Sequence, residues 1–148
     1  ELIADGHHVH PGAMQLLLQV KGAQGVCLVS DAAPLAGLED GTYTWEGYNV
    51  TIGGGTCRLP DGILAGAYSL LDEDLRTLLR SIPGMDPAQA VRCASEVPAR
   101  SIGLAHRKGR LAAGCDADLV VLDRDWQVEC TMVGGEVVWE RDNSGIMR

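Results

Sequence analysis

The sequence predicts an α/β fold followed by a small β part. Three observations carry this expectation. Residues 1–29 read as strand, loop, helix, strand. Helical patterns fill the stretch from Ser69 to Gly103, and after Gly109 only strand patterns remain. The opening βαβ unit matters most for function, because loops that follow parallel strands are where ligands usually bind.

Taken in order, Glu1 to Asp5 reads as the end of a strand. Pro11 suits a first helical turn, and Met14, Leu17, Leu18 and Lys21 keep a helical spacing that stops at Gly22. Val26-Cys27-Leu28-Val29 is a short continuous apolar run, as in strands buried on both faces. From about 41 to 64 the pattern changes. Thr42, Tyr43, Thr44, Val50, Thr51 and Ile52 favour strands, and Gly53-Gly54-Gly55 marks a turn. This predicts a β-hairpin excursion that ends at Leu64-Ala65-Gly66-Ala67.

Ser69 to Ser81 then predicts a helix with Leu70, Leu71, Leu75, Leu78 and Leu79 on one side. Asp86 and Pro87 form a cap and first turn, with Ala90, Val91 and Ala94 on the inner face of the next helix. Pro98 opens a further helical turn that ends near Gly103. Ala117 to Leu122 is an apolar strand. Val128 to Val133 and Val137 to Trp139 flank Gly134-Gly135, a tight hairpin turn. The last residues, RDNSGIMR, read as a loose tail. The expected division is 1–108 for the α/β part and 109–148 for the small β part.

Bulk properties narrow the function. The 148 residues are enough for a real core, and 46% hydrophobic with 22% charged residues is a globular composition. Twelve Lys and Arg against twenty Asp and Glu give a formal charge of −8. That argues against a nucleic-acid partner, which needs a basic face, and against docking on an anionic membrane. A pocket sets its own local field, so an anionic small substrate stays open. Cysteines stand at 27, 57, 93, 115 and 130, with no CxxC. The pattern suggests neither a disulfide framework nor a zinc knuckle; Cys27 and Cys93 read as buried thiols and the setting as reducing and cytoplasmic. No run of about 18 apolar residues predicts a transmembrane helix. The chain opens on ELIADG without methionine, in what reads as the middle of a strand, so the expectation is a fragment of a longer protein.

Four stretches could carry chemistry. Asp31 stands at the carboxyl end of a buried parallel strand, followed by the small residues Ala32 and Ala33 and by Pro34. A carboxylate there can take a proton from water and return it to a leaving group. On spacing alone, capping of the next turn is the better supported reading. His7-His8-Val9-His10 follows Asp5-Gly6, and His8 and His10 share a face of an extended segment. A metal site normally needs three or four protein ligands, and His106 is no convincing third, so His7 and His10 read as loop-packing imidazoles and no metal ligand is assigned. In Leu64-Ala65-Gly66-Ala67 the glycine suits either close backbone approach to a ligand or an ordinary turn. The basic HRKGR, His106 to Arg110, suits an anion contact, but a solvated loop between domains is the better supported reading.

Together these stretches resemble one family. ADGHHVHP, CLVSDAAPLAGL, DGILAGA, AVRCASEVPARSIGL and KGRLAAGCDADLVVLD stand in the order found in N-acetylglucosamine-6-phosphate deacetylases of the amidohydrolase superfamily. The resemblance runs from Ala4 to about Trp139. The DGxH and strand-end aspartate elements are fairly specific to the deacetylase; GxDADLVVLD supports only the superfamily. It implies a (β/α)8 TIM-like barrel with a small β-sandwich domain. This chain would hold the last two barrel strands with their helices, and its final strands would join the small domain.

The implied reaction is hydrolysis of the acetamide of N-acetylglucosamine 6-phosphate to glucosamine 6-phosphate and acetate. Asp31 matches the general base and acid. His8 matches a substrate-contacting histidine, and Leu64, Ala65 and Gly66 match a segment that contacts the sugar phosphate. A divalent metal, zinc or iron, is implied, with its Glu and two His ligands, and an arginine for the phosphate, upstream of Glu1. A dimer is implied for the full-length protein. Ser30 stands where the family commonly has Thr, and Ala67 where it usually has Ser or Thr, so a hydroxyl contact would be lost. Two other readings compete: a different amidohydrolase, such as one acting on a cyclic amide, and a non-catalytic module that binds a sugar phosphate.

Overall fold

The structure, a computed structural model, describes residues 1–141; of the expected tail, 142–148 lie outside the described residues. The fold is mixed α/β, and the chain gathers into two units, with the first spanning Glu1–Ala94 and the second beginning at Ser95.

The first unit opens with β1 (Leu2–Ile3), α1 (Pro11–Lys21) and β2 (Leu28–Val29). β1 and β2 pair in parallel, Leu2 opposite Leu28 and Ile3 opposite Val29, so the expected βαβ unit is present. Leu2, Ala4, Met14, Val26 and Leu28 are buried beneath it. Each buried side chain of the Leu or Met kind contributes roughly 1.5–3 kcal/mol. α1 begins where Pro11 predicts, because His10 is extended (φ −63°, ψ 138°) and its Nδ1 accepts from the Gly12 amide at 3.1 Å. It ends at Gly22, whose amide reaches the Leu18 carbonyl at 2.8 Å.

The region expected as a single hairpin is a four-stranded antiparallel sheet: β3 (Gly41–Trp45), β4 (Tyr48–Gly53), β5 (Thr56–Arg58) and β6 (Leu64–Ala67). The glycine run does turn the chain, but between β4 and β5, with Gly54 and Gly55 at φ 59° and 75°. A second tight turn at Glu46-Gly47 joins β3 to β4. Its one glycine was too weak a signal beside three in a row. One face of this sheet packs Val50, Ile52 and Cys57 against Ala33, with Tyr43, Trp45 and Tyr68 closing the edge.

α2 (Leu71–Ser81) and α3 (Pro87–Ala94) complete the unit. Two expected faces need correction. On α2, Leu75 and Leu78 are buried, but Leu70 precedes the helix and is exposed, as is Leu71. Asp74, not among the residues of the expected apolar side, is buried beside Leu75. On α3, Ala90 and Cys93 point inward, one helical turn apart, and Val91 is exposed. Asp86 caps α3 as expected, accepting from the Ala88 amide at 3.0 Å. None of the five cysteines forms a disulfide; Cys93 is buried and Cys27 half-buried.

The second unit holds α4 (Glu96–Ser101), then β7 (Leu119–Leu122), β8 (Val128–Val133) and β9 (Glu136–Glu140) in an antiparallel sheet. Pro98 lies inside the first turn of α4 rather than at its start, a position that needs no amide proton. Gly134 and Gly135, at φ 59° and 89°, make the expected β8–β9 turn. Asp116 links the preceding loop together, with its carboxylate 2.7 Å from Arg107 and 2.9 Å from Lys108; Lys108 also meets Asp118.

Candidate functional site at the ends of the parallel strands

The site grows from the residues that leave β1 and β2. After β1 the chain turns at Asp5-Gly6. The side chain of Asp5 is 2% exposed. Its Oδ1 accepts from the backbone amides of His7 and His8, each at 2.9 Å, which fixes the loop. Its Oδ2 lies 2.7 Å from Nδ1 of His8. Burial pushes the Asp5 carboxyl up, but the hydrogen bonds from the His8 and His7 amides and from the His8 ring outweigh it, so its pKa falls below the ordinary value.

After β2 the chain passes Ser30 and reaches Asp31 with φ 56°, a left-handed conformation uncommon for a residue other than glycine. That geometry is held from outside. The Asp31 carbonyl accepts from the Ala67 amide, and the Ala33 amide donates to the Ala67 carbonyl, both at 2.8 Å. β6 thereby continues the parallel frame beside Ala32. Gly66, at φ 114°, makes this close approach possible: a Cβ there would sit 3.2 Å from the Asp31 carbonyl oxygen and 3.2 Å from the Ala33 Cβ. The Asp31 carboxylate is 59% exposed, and its Oδ2 lies 3.9 Å from Nε2 of His8. That is too long for a direct hydrogen bond. Among the described residues it accepts no hydrogen bond, so the capping reading of Asp31 finds no partner.

Asp31, His8 and the Leu64-Ala65-Gly66 segment therefore stand at one rim. The other two histidines diverge from it. His10 caps α1, and the His7 ring lies beside the Gly55 turn. His106 faces the Gly103 carbonyl at 3.2 Å within the second unit. The charges of Arg107 and Lys108, candidates to meet an anion, are taken up by Asp116 and Asp118. Among the described residues no group of three His, Cys, Asp or Glu side chains gathers to hold a metal.

Sequence reasoning missed two carboxylates. Asp5 entered only as part of the DGxH spacing, although an Asp-Gly pair just before a functional residue signals a side chain that caps its own loop. Asp74 was hidden in the α2 pattern. It is fully buried and accepts from the Ser69 hydroxyl at 2.6 Å, and its Oδ2 has no partner among the described residues. Burial raises its pKa to about 6, against the Ser69 hydrogen bond and with help from the nearby charges of Asp5, Glu73 and Asp72.

A profile of the amidohydrolase family matches residues 1–138. The chain belongs to the amidohydrolase family. Amidohydrolases are hydrolytic and generally metal-dependent. The chain is 37% identical over 139 residues to the N-acetylglucosamine-6-phosphate deacetylase of Bacillus subtilis, a match that covers 94% of this chain and 35% of that protein. It is 39% identical over 137 residues to a protein of Escherichia coli K12 named as a putative N-acetylgalactosamine-6-phosphate deacetylase, covering 93% of this chain and 81% of that one. The crystal structure of N-acetylglucosamine-6-phosphate deacetylase from Thermotoga maritima superposes with a TM-score of 0.87 at 36% identity, over 95% of this chain and 38% of the other. The chain thus spans about a third of the length of most of these relatives. No helix among the described residues of this amidohydrolase chain is long and apolar enough to cross a membrane.

Proposed function

We propose that the protein carrying this chain hydrolyses the acetamide of N-acetylglucosamine 6-phosphate, giving glucosamine 6-phosphate and acetate. The observation that carries the reading is the meeting of Asp31, His8 and β6 at one rim: Asp31 Oδ2 is 3.9 Å from His8 Nε2, and the Asp31 backbone is hydrogen-bonded to Ala67 directly after Leu64-Ala65-Gly66. The deacetylase names of the relatives support the substrate class.

In this reading Asp31 is the general base and acid. Exposed and without a hydrogen bond among the described residues, its carboxylate takes a proton from the water that attacks the acetamide carbonyl. It returns that proton to the nitrogen as the C–N bond breaks, so the amine leaves neutral. His8 contacts the substrate, and backbone groups of Leu64, Ala65 and Gly66 contact the sugar phosphate, with the missing Cβ of Gly66 letting β6 pack directly against Asp31. The left-handed backbone at Asp31 aims the carboxylate and is held by the two bonds to Ala67.

The described residues of this chain do not gather into a metal site. Zinc or iron, held by residues outside this chain, remains part of the proposal on the strength of the resemblance. So do the finer architecture and setting: 1–108 as the closing strands and helices of a (β/α)8 barrel, 109–148 within a small β-sandwich domain, and a cytoplasmic dimer.

Acetate release by the full-length protein tests the reading. N-acetylglucosamine 6-phosphate is the expected substrate, with N-acetylgalactosamine 6-phosphate and a cyclic ureide as comparators. Preference for the galactosamine compound would move the assignment to that epimer, and turnover of the ureide alone would sink the deacetylase reading. Binding of glucosamine 6-phosphate without turnover of any substrate would favour a non-catalytic module.

A further inference from the structure

We propose that Asp5 is a positioning residue that holds the His8 imidazole with its proton on Nδ1 and turns Nε2 toward Asp31 and the substrate. The inference rests on the reading of His8 as a substrate ligand and adds how that ligand is set.

An ionised carboxylate can only accept hydrogen bonds. Asp5 is held in that form by the two backbone amides on Oδ1 and by the ring on Oδ2. The ring nitrogen 2.7 Å from Oδ2 must therefore be the one that carries hydrogen. With the Asp5 side chain 2% exposed, water does not compete for that bond. Ala4, fully buried just before it, anchors the backbone from which Asp5 projects. The loop and the ring are thus fixed by the same carboxylate. In the neutral ring, Nε2 is left as a lone-pair acceptor on the open side, separated from Asp31 by 3.9 Å, and it fits an O–H or N–H donor of the sugar.

Asp5→Asn separates the two jobs of this side chain. Its Oδ1 still accepts from the His7 and His8 amides, so the loop keeps its turn. Its amide NH2 replaces Oδ2 and donates to the ring, which forces Nδ1 to accept and moves the proton to Nε2.

The test is nitrogen-15 NMR of the histidine ring nitrogens in the full-length protein, at a pH where the rings are neutral, together with deacetylation kinetics. The expected result is a proton on Nδ1 of His8 in the unaltered protein and on Nε2 in Asp5→Asn. kcat/KM should fall about 10- to 100-fold, as it does when the partner that orients a functional histidine is changed, with the melting temperature little altered. A proton on Nε2 of His8 in the unaltered protein overturns the proposal, and that measurement needs no variant to fold. A swapped tautomer with unchanged kcat/KM overturns it too. If the full-length protein does not cleave the acetylated amino sugar, the proposed reaction falls, while the ring signals of the unaltered protein still decide the role of Asp5.

Discussion

The Ser69 hydroxyl donates to the Asp74 carboxylate at 2.6 Å, and both side chains are closed off from solvent. Ser69 comes two residues after β6, so this bond ties the strand that faces Asp31 to the first turn of α2.

The pair predicts a pH-dependent stability. Asp74 titrates at about 6 in the folded chain against 3.8 in the unfolded one. The folded state therefore binds more protons in between. Its stabilisation is full below about 3.8 and is lost as pH rises through 6, an effect of up to about 3 kcal/mol. Asp74→Asn is neutral throughout and removes this component. Thermal melts of both proteins from pH 4 to 7.5 should diverge in favour of the variant as pH rises; parallel curves would contradict the buried, raised carboxyl.

Asp31→Asn keeps the backbone, because asparagine tolerates a positive φ such as the 56° found here. It removes the proton acceptor. Turnover of the full-length protein should drop on the order of 10²- to 10⁴-fold, with substrate affinity by calorimetry nearly unchanged. A variant with near-normal turnover would end the assignment of Asp31 as base and acid.

His8→Ala should weaken binding of the phosphorylated sugar about tenfold, the worth of one good hydrogen bond. Isothermal titration with the product, glucosamine 6-phosphate, reads this without chemistry. An unchanged dissociation constant would remove His8 from the binding surface.

Gly66→Ala combines a disfavoured φ of 114° with Cβ contacts at 3.2 Å to the Asp31 carbonyl and to Ala33. It should destabilise by about 1–3 kcal/mol and lower kcat by displacing Asp31. Gly47→Ala is the control: its φ is 83°, but its added Cβ meets nothing within 4 Å. It should cost stability and leave kcat alone. Equal kcat in the two variants would show that β6 does not position Asp31.

Local signals were enough for the elements. Pro11 and Gly22 bound α1, Asp86 caps α3, and Gly134-Gly135 turns β8 into β9, because each acts through its own backbone within a few residues. The motifs around His8, Asp31 and Gly66 were also readable, as short strings with a recognisable order. Burial was read less well on two helix faces: Cys93 was legible as a buried thiol, but the apolar pattern also turned Leu70 and Val91 inward and passed over Asp74, since a buried carboxylate with a serine partner breaks the rule on which such patterns rest.

What the sequence by itself determined was the order of helical and strand regions and the residue types at the strand ends, though not the four strands that replace the single hairpin expected after Gly41. Only the tertiary structure decided which of them meet. Asp31 and Gly66 are brought together by a parallel bridge between Ala32 and Ala67, and the spacing of the chain does not encode such a pairing. The part played by Asp5 was decided there too: its three hydrogen bonds exist because the β1 turn folds back over its own carboxylate and excludes water. Propensity is local, whereas the register between distant strands and the closing of a polar group from solvent depend on how the whole core packs.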